Sequence, residues 1–240
     1  MTKQFPSYRK LFSEITTLTK FLIESGLADD QNFPAITQTG SDRFIVSYPN
    51  GGFATMLRNT AYKELYEHQL RHRSYSIRML DGALIQMSYE FVGSRIEKYR
   101  LAFLPSPDLS EFQNNPELYL EDILYADVVD KRAVTVPLRF DFDDRDGVAQ
   151  GLLHPKSHLT LGQYSNCRIP AAAPITPYLF VEFILRSFYN TATAAVAAGL
   201  PVHFYDIESC MTTEEANLLH IGVPLTSQRI KGHRQATRRT

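Results

Sequence analysis

From Ala83 to Phe91 apolar and polar positions alternate. Ala83, Ile85, Met87, Tyr89 and Phe91 take one set, and Gln86, Ser88 and Glu90 the other. A period of two places successive side chains on opposite faces, so this run predicts a half-buried strand. Ser74–Leu80 precedes it across Asp81-Gly82, a pair suited to a type I′ turn, and Gly93-Ser94 leads on into Arg95–Pro105. Three strands joined by tight turns make an antiparallel meander. A second alternation covers Ala133–Asp143, with Val134, Val136, Leu138, Phe140 and Phe142 inward and Thr135, Arg139, Asp141 and Asp143 outward. Pro137 lacks a ladder donor, which predicts an edge or bulged strand. Shorter β-like runs fall at Asp42–Tyr48, Leu159–Leu161 and Val202–Ile207.

Elsewhere the apolar spacing is helical. Leu11, Phe12, Ile15, Leu18 and Leu22 predict a helix over Tyr8–Ser25, ended by Gly26. Asn59–Leu70 predicts a second helix, with Asn59 as N-cap, and Pro116–Leu124 a short one. Thr176–Asn190 predicts a strongly apolar helix with Pro177 in its first turn and Leu179, Phe180, Phe183, Ile184 and Phe188 as its core stripe. Hairpin-linked strands bracketed by helices, without β-α-β alternation, mean α+β: an antiparallel sheet, meander plus second hairpin, packed against helices. The organisation expected is one domain over residues 1–240, with 1–70 open as a helical subdomain and 227–240 as a flexible basic tail.

Composition narrows the function classes. The 240 residues carry 25 Lys+Arg against 26 Asp+Glu and are 44% apolar, which excludes a wholly basic nucleic-acid coat and a disordered chain. Charge is nonetheless segregated. Residues 106–130 hold Asp108, Glu111, Glu117, Glu121, Asp122, Asp127 and Asp130 with no base, whereas the tail holds Arg229, Lys231, Arg234, Arg238 and Arg239 with no acid. Such a tail reads as a phosphate contact, as a docking arm for an acidic partner, or as a solvated end. Cys167 and Cys210 make no disulfide framework. No apolar run reaches the ~20 residues of a membrane span, and no signal segment is evident at the N-terminus, so a cytoplasmic protein without membrane contact is expected.

The polar block with the most chemistry is RFDFDDRDGVAQGLLHPKSHLTLGQYSNCR, residues 139–168. Arg139, Asp141 and Asp143 share a strand face by period-two spacing. Pro155 disfavours a helix across His154 and His158, so a hairpin would return these imidazoles towards that face. Three readings stand. In metal-free phosphodiester cleavage, His154 and His158 are the acid–base pair, Asp141 and Asp143 orient them, and Arg139 and Arg168 hold phosphate. In the second, His154, His158 and the aspartates bind a divalent metal such as zinc or manganese. In the third, the histidines are buried hydrogen-bonding residues and 143–146 is a solvated loop. His68 and His72, with Arg71 and Arg73, suit a helix C-terminus, and Glu90 suits a cross-strand pair with Lys98 and Arg100. No phosphate loop, GxGxxG, GxSxG or CxxC is present, so no nucleotide cofactor is expected.

The blocks YRLAFLPSP (99–107), LRFDFDD (138–144), HPKSHLTLGQYSNCRIP (154–170) and PITPYLFVEFILRSFYN (174–190) resemble a bacterial family, domain of unknown function 2290, over most of Tyr8–Ile207. Where the family's stretch reads HPxSHLHxG this chain has Thr160, which argues against a His-x-His pair at 158–160. The resemblance implies a context: a cytoplasmic subunit of an anti-phage defence system, working with a helicase encoded alongside on DNA or RNA, and open to oligomerisation within that complex. It would serve as the nuclease component or, alternatively, as a non-catalytic adaptor.

Overall fold

A computed structural model describes residues 4–49, 60–108, 127–128, 130, 136–164, 166–203 and 205–224. Among them, nine strands form one antiparallel sheet: β1 (Ala28–Gln31), β2 (Ala35–Gln38), β3 (Arg43–Ser47), β4 (Ile77–Met79), β5 (Leu84–Val92), β6 (Arg95–Leu104), β7 (Leu138–Asp143), β8 (Ser157–Leu161) and β9 (Ile169–Pro170). The order is β1-β4-β5-β6-β7-β8-β9, and the β2–β3 hairpin joins the far half of β5. The helices are α1 (Tyr8–Glu24), α2 (Tyr62–Arg71), α3 (Pro177–Phe188), α4 (Asn190–Val196) and α5 (Thr213–Ala216). This is the α+β architecture that the hairpin pattern predicts.

One sheet face carries the main core. Ile85, Met87, Tyr89 and Phe91 of β5 join Tyr99, Leu101 and Phe103 of β6 and Leu138, Phe140 and Phe142 of β7. Helices α1 and α3 cover them, with Leu11, Ile15, Leu18 and Leu22 from α1 and Phe180, Val181, Ile184 and Leu185 from α3. Thr176 caps α3 by accepting from the Leu179 amide at 3.3 Å. The core stripe of α3 is rotated from the predicted one: Tyr178, Val181 and Leu185 are buried, while Leu179, Phe183 and Phe188 are half-buried. On the opposite face α2 packs Leu65 and Tyr66 on Tyr75, Leu84, Ala102 and Leu104, at one end only. Beyond α2, the described positions of β5 to β8 on that face are mostly polar.

Several local expectations are corrected. β7 lies between β6 and β8, so it is no edge strand. Pro137 stands just before it, where its carbonyl accepts from the Gly162 amide at 2.7 Å, and Val136 is 54% exposed rather than inward. The Asp81-Gly82 connection is not type I′. The Gly82 amide donates to the Met79 carbonyl at 2.9 Å, and Gly82 alone has positive φ (+85°), which makes a three-residue loop closed by a left-handed glycine. Among its described residues, 202–207 holds no strand. Residues 1–70 supply strands β1–β3 to the shared sheet as well as helices. Asn59, Val134, Thr135, the 116–124 helix and the whole 227–240 tail lie outside the described residues.

Candidate functional site: a polar row across the sheet

Strand register builds the site. Ser88 on β5 faces Arg100 on β6, Arg100 faces Asp141 on β7, and Asp141 faces His158 on β8. The next row reads Gln86, Ala102, Arg139 and Thr160, and on the other side Glu90, Lys98 and Asp143 are aligned. All of these lie on the face opposite α1 and α3, because their strand neighbours are the core residues. The predicted hairpin between 139–143 and the returning histidine segment is therefore present, with Asp141 opposite His158.

Asp141 is the centre. Its Oδ1 accepts from Arg100 Nε at 3.0 Å and its Oδ2 from Arg139 Nε at 2.5 Å. Burial alone would raise its carboxyl, but Arg139 and Arg100 outweigh this and hold it below the ordinary carboxylate range. His158 Nε2 stands 3.8 Å from Asp141 Oδ2, too long for a hydrogen bond. Its Nδ1 is 2.8 Å from the Pro155 carbonyl, and because a carbonyl only accepts, Nδ1 carries the proton and Nε2 is bare. Burial pushes the imidazole down to about 4, against the pull of Asp141. His154 meets His158 edge to face, with ring centroids 5.1 Å apart, and is also lowered, by burial and then by the Arg168 charge. Arg168 donates to the Leu153 carbonyl at 2.9 Å, which fixes it beside both histidines.

Asp143 is drawn away from this group. Arg145 clasps it from Nε at 2.8 Å and from Nη2 at 2.6 Å, so it does not orient either imidazole. With both aspartates engaged by guanidinium groups, the expected metal set reduces to two imidazoles. Among the described residues no group of three or more His, Cys, Asp or Glu is placed to hold an ion. Arg229, Lys231, Arg234, Arg238 and Arg239 lie outside the described residues. The sequence pattern groups Arg100 with Glu90; in the register Lys98 faces Glu90 and Arg100 faces Asp141. Arg73 does not serve the α2 terminus: it pairs with Asp30 at 2.6 Å. Burial raises the Cys210 thiol to about 12, and Cys167 and Cys210 are both free.

Two buried groups give opposing pH dependences. His158 is held neutral, so the stability it contributes is whole above its ordinary 6.5 and is lost as pH falls towards about 4. The slope is about 1.4 kcal/mol per pH unit. Glu14 of α1 is buried against the start of α3, where its Oε1 accepts from the Tyr178 amide at 2.7 Å. Burial raises it from 4.5 to about 7, so its contribution is whole below 4.5 and is lost as pH rises through 7. Between 4.5 and 6.5 the two slopes oppose each other. Glu14→Gln should therefore convert a nearly flat dependence into stability that rises with pH. Urea unfolding at the two ends of that window checks this.

The model of the family described as uncharacterized conserved protein (DUF2290) matches residues 27–223, starting later and ending later than the resemblance read from the motifs. No curated protein and no solved structure matches the chain. Among the described residues no helix is long and apolar enough to cross a membrane. The match takes in the whole polar row and both histidines, and on it the chain belongs to the DUF2290 family.

Proposed function

We propose that this protein is the nucleic-acid-binding subunit of a bacterial anti-phage defence system, acting with a helicase, and that the polar row holds backbone phosphate. The observation that supports this is the charge on one sheet face: Arg100 and Arg139 both donate to Asp141, and the Arg168 charge lies close to Arg139 and to both histidines. Guanidinium groups in a partly desolvated setting suit phosphate, whose oxygens accept from their planar fork of N–H donors. The side chains of Arg100 and Arg139 keep 26% and 20% of their surface exposed, enough for a ligand to reach them. The helicase partnership rests on the family resemblance, and the acidic 106–130 stretch and the basic tail are its proposed docking elements.

A second reading, in which the subunit also cuts, has its own supporting observation. The Pro155 carbonyl selects the tautomer that leaves His158 Nε2 able to accept a proton at neutral pH. His154, the more exposed imidazole, would then donate to the leaving oxygen. Against this, the His158 side chain is only 3% exposed, which favours binding without cleavage.

The test uses the purified full chain, with and without its proposed helicase partner, and labelled DNA and RNA in magnesium, manganese or chelator. Binding that weakens with salt and with Arg139→Gln is expected. The cleavage reading adds product that forms equally in chelator and disappears in His154→Ala. Failure to bind either nucleic acid in every condition contradicts the proposal.

A further inference from the structure

The β8–β9 hairpin carries an aromatic ring that the fold leaves open. Its register pairs His158 with Pro170 and Leu159 with Ile169, which carries Arg168 towards the place opposite Thr160. Thr160 also faces Arg139 on β7, so Arg139, Thr160 and Arg168 follow one another across the sheet. Beyond that row the chain turns at Gly162, and Tyr164 lies in the tip of the hairpin. Of the aromatic rings among the described residues only Phe33 and Tyr164 are exposed, at 43% and 74%. The Tyr164 ring is nevertheless seated. A Cβ on Gly162 would stand 3.3 Å from Tyr164 Cδ2, 3.4 Å from its Cε2 and 3.2 Å from Val136 Cγ1, so the glycine gives the edge of the ring a place that any other residue would fill. Gly162 also has φ +60°, which favours glycine there. A ring held by one edge and open over most of its surface loses little conformational freedom when a flat group stacks on it.

We propose that Tyr164 is a stacking platform for an unpaired base, and that Arg168, at the base of the same hairpin, holds a phosphate of the same strand. This inference rests on the reading of this region as a phosphate site and narrows its ligand to single-stranded nucleic acid. Charge is the first reason. The segment 154–170 contains Lys156 and Arg168 and no Asp or Glu, so the open ring is set among cations and suits a polyanion that carries flat apolar groups. One of the five N–H donors of Arg168 goes to the Leu153 carbonyl at 2.9 Å, which fixes the guanidinium there. Reach is the second. Tyr164 follows Thr160 by four residues, at most about 13 Å of extended chain, a span of about four stacked nucleotides. Base geometry is the third. A base inside a duplex has both faces covered by its neighbours, whereas a single strand can lay a base on an aromatic ring. Every base has such a face, so the platform is indifferent to sequence.

Three labelled ligands of equal length, titrated with the full chain, separate base from phosphate. They are a mixed-sequence single strand, the same strand with abasic sites, which keeps every phosphate, and the duplex. The intact single strand should bind about tenfold or more tightly than the abasic one, the worth of one stacked base. Tyr164→Ala should remove that preference without changing the salt slope and, because the ring is exposed, without lowering the melting temperature. Tyr164→Phe should keep it. The chain has no tryptophan, so Tyr164→Trp supplies a single indole whose fluorescence should be quenched by the single strand and not by the duplex. Equal binding of intact and abasic strands, unchanged in Tyr164→Ala, would overturn the platform and leave the phosphate-binding face standing. Tighter binding of the duplex would overturn the platform too, as would a Tyr164→Ala variant that loses only the proposed helicase partner. No binding of any of the three ligands would overturn both readings.

Discussion

Asp141→Ala should cost about 3–5 kcal/mol of folding stability, the toll of breaking a buried ion pair from one side. The Asp141 side chain is 14% exposed and accepts from two guanidiniums, Arg139 from its own strand and Arg100 from the neighbouring β6. Removing it takes from Arg100 and Arg139 the carboxylate they share in a partly desolvated place. Asp141→Asn keeps the shape and loses the charge, so it should fall between the parent and the alanine variant. Acid should act in the same direction. Because Arg139 and Arg100 hold the Asp141 carboxyl below its ordinary 3.8, its stabilisation is whole above that value and is lost as pH falls through the lowered one. Denaturant unfolding of the three proteins at neutral pH checks the order. An alanine variant as stable as the parent would show that the guanidiniums do not depend on Asp141.

Phe180→Ala should cost a similar ~3–5 kcal/mol. Phe180 is fully buried, and its ring meets Phe140 of β7 edge to face at 6.2 Å, so it ties α3 to the strand that carries Arg139 and Asp141. Against a total stability of about 5–15 kcal/mol, the variant should melt far lower or fail to accumulate in soluble form. Phe183→Ala should cost less. Phe183 also touches Phe140, at 5.7 Å, but is half-buried. Thermal melting of the two variants decides the order, and equal losses would contradict the placement of the α3 core stripe.

That stripe illustrates where the sequence is ambiguous. Helix α3 is apolar on nearly every side because it packs on both the sheet and α1, so three- and four-residue spacing fits more than one face. Strands β5 to β7 were legible for the opposite reason: each has one apolar and one polar face, and a period of two assigns every residue to one of them. β1, β2 and β9 were not legible. They are short; β2 is exposed along its whole length, and the burial of β1 does not alternate. The meeting of His158 with Asp141 followed from the turn between them, but the register that made Asp141, and not Asp143, the partner did not. Arg145, two residues after Asp143, took that carboxylate through a local contact. Tyr164 was beyond reach, because a tyrosine in a loop looks the same in sequence whether or not its ring is buried.

The claim that the polar row holds phosphate is tested most directly by the salt dependence of binding. A labelled single-stranded oligonucleotide is titrated with the full chain over a range of salt concentrations, and log affinity is plotted against log salt. For Arg139→Gln and Arg168→Gln, each shown by melting to be folded, the slope should shrink by about 0.7 for each phosphate that is no longer neutralised. Slopes and affinities equal to those of the parent in both variants would contradict the account.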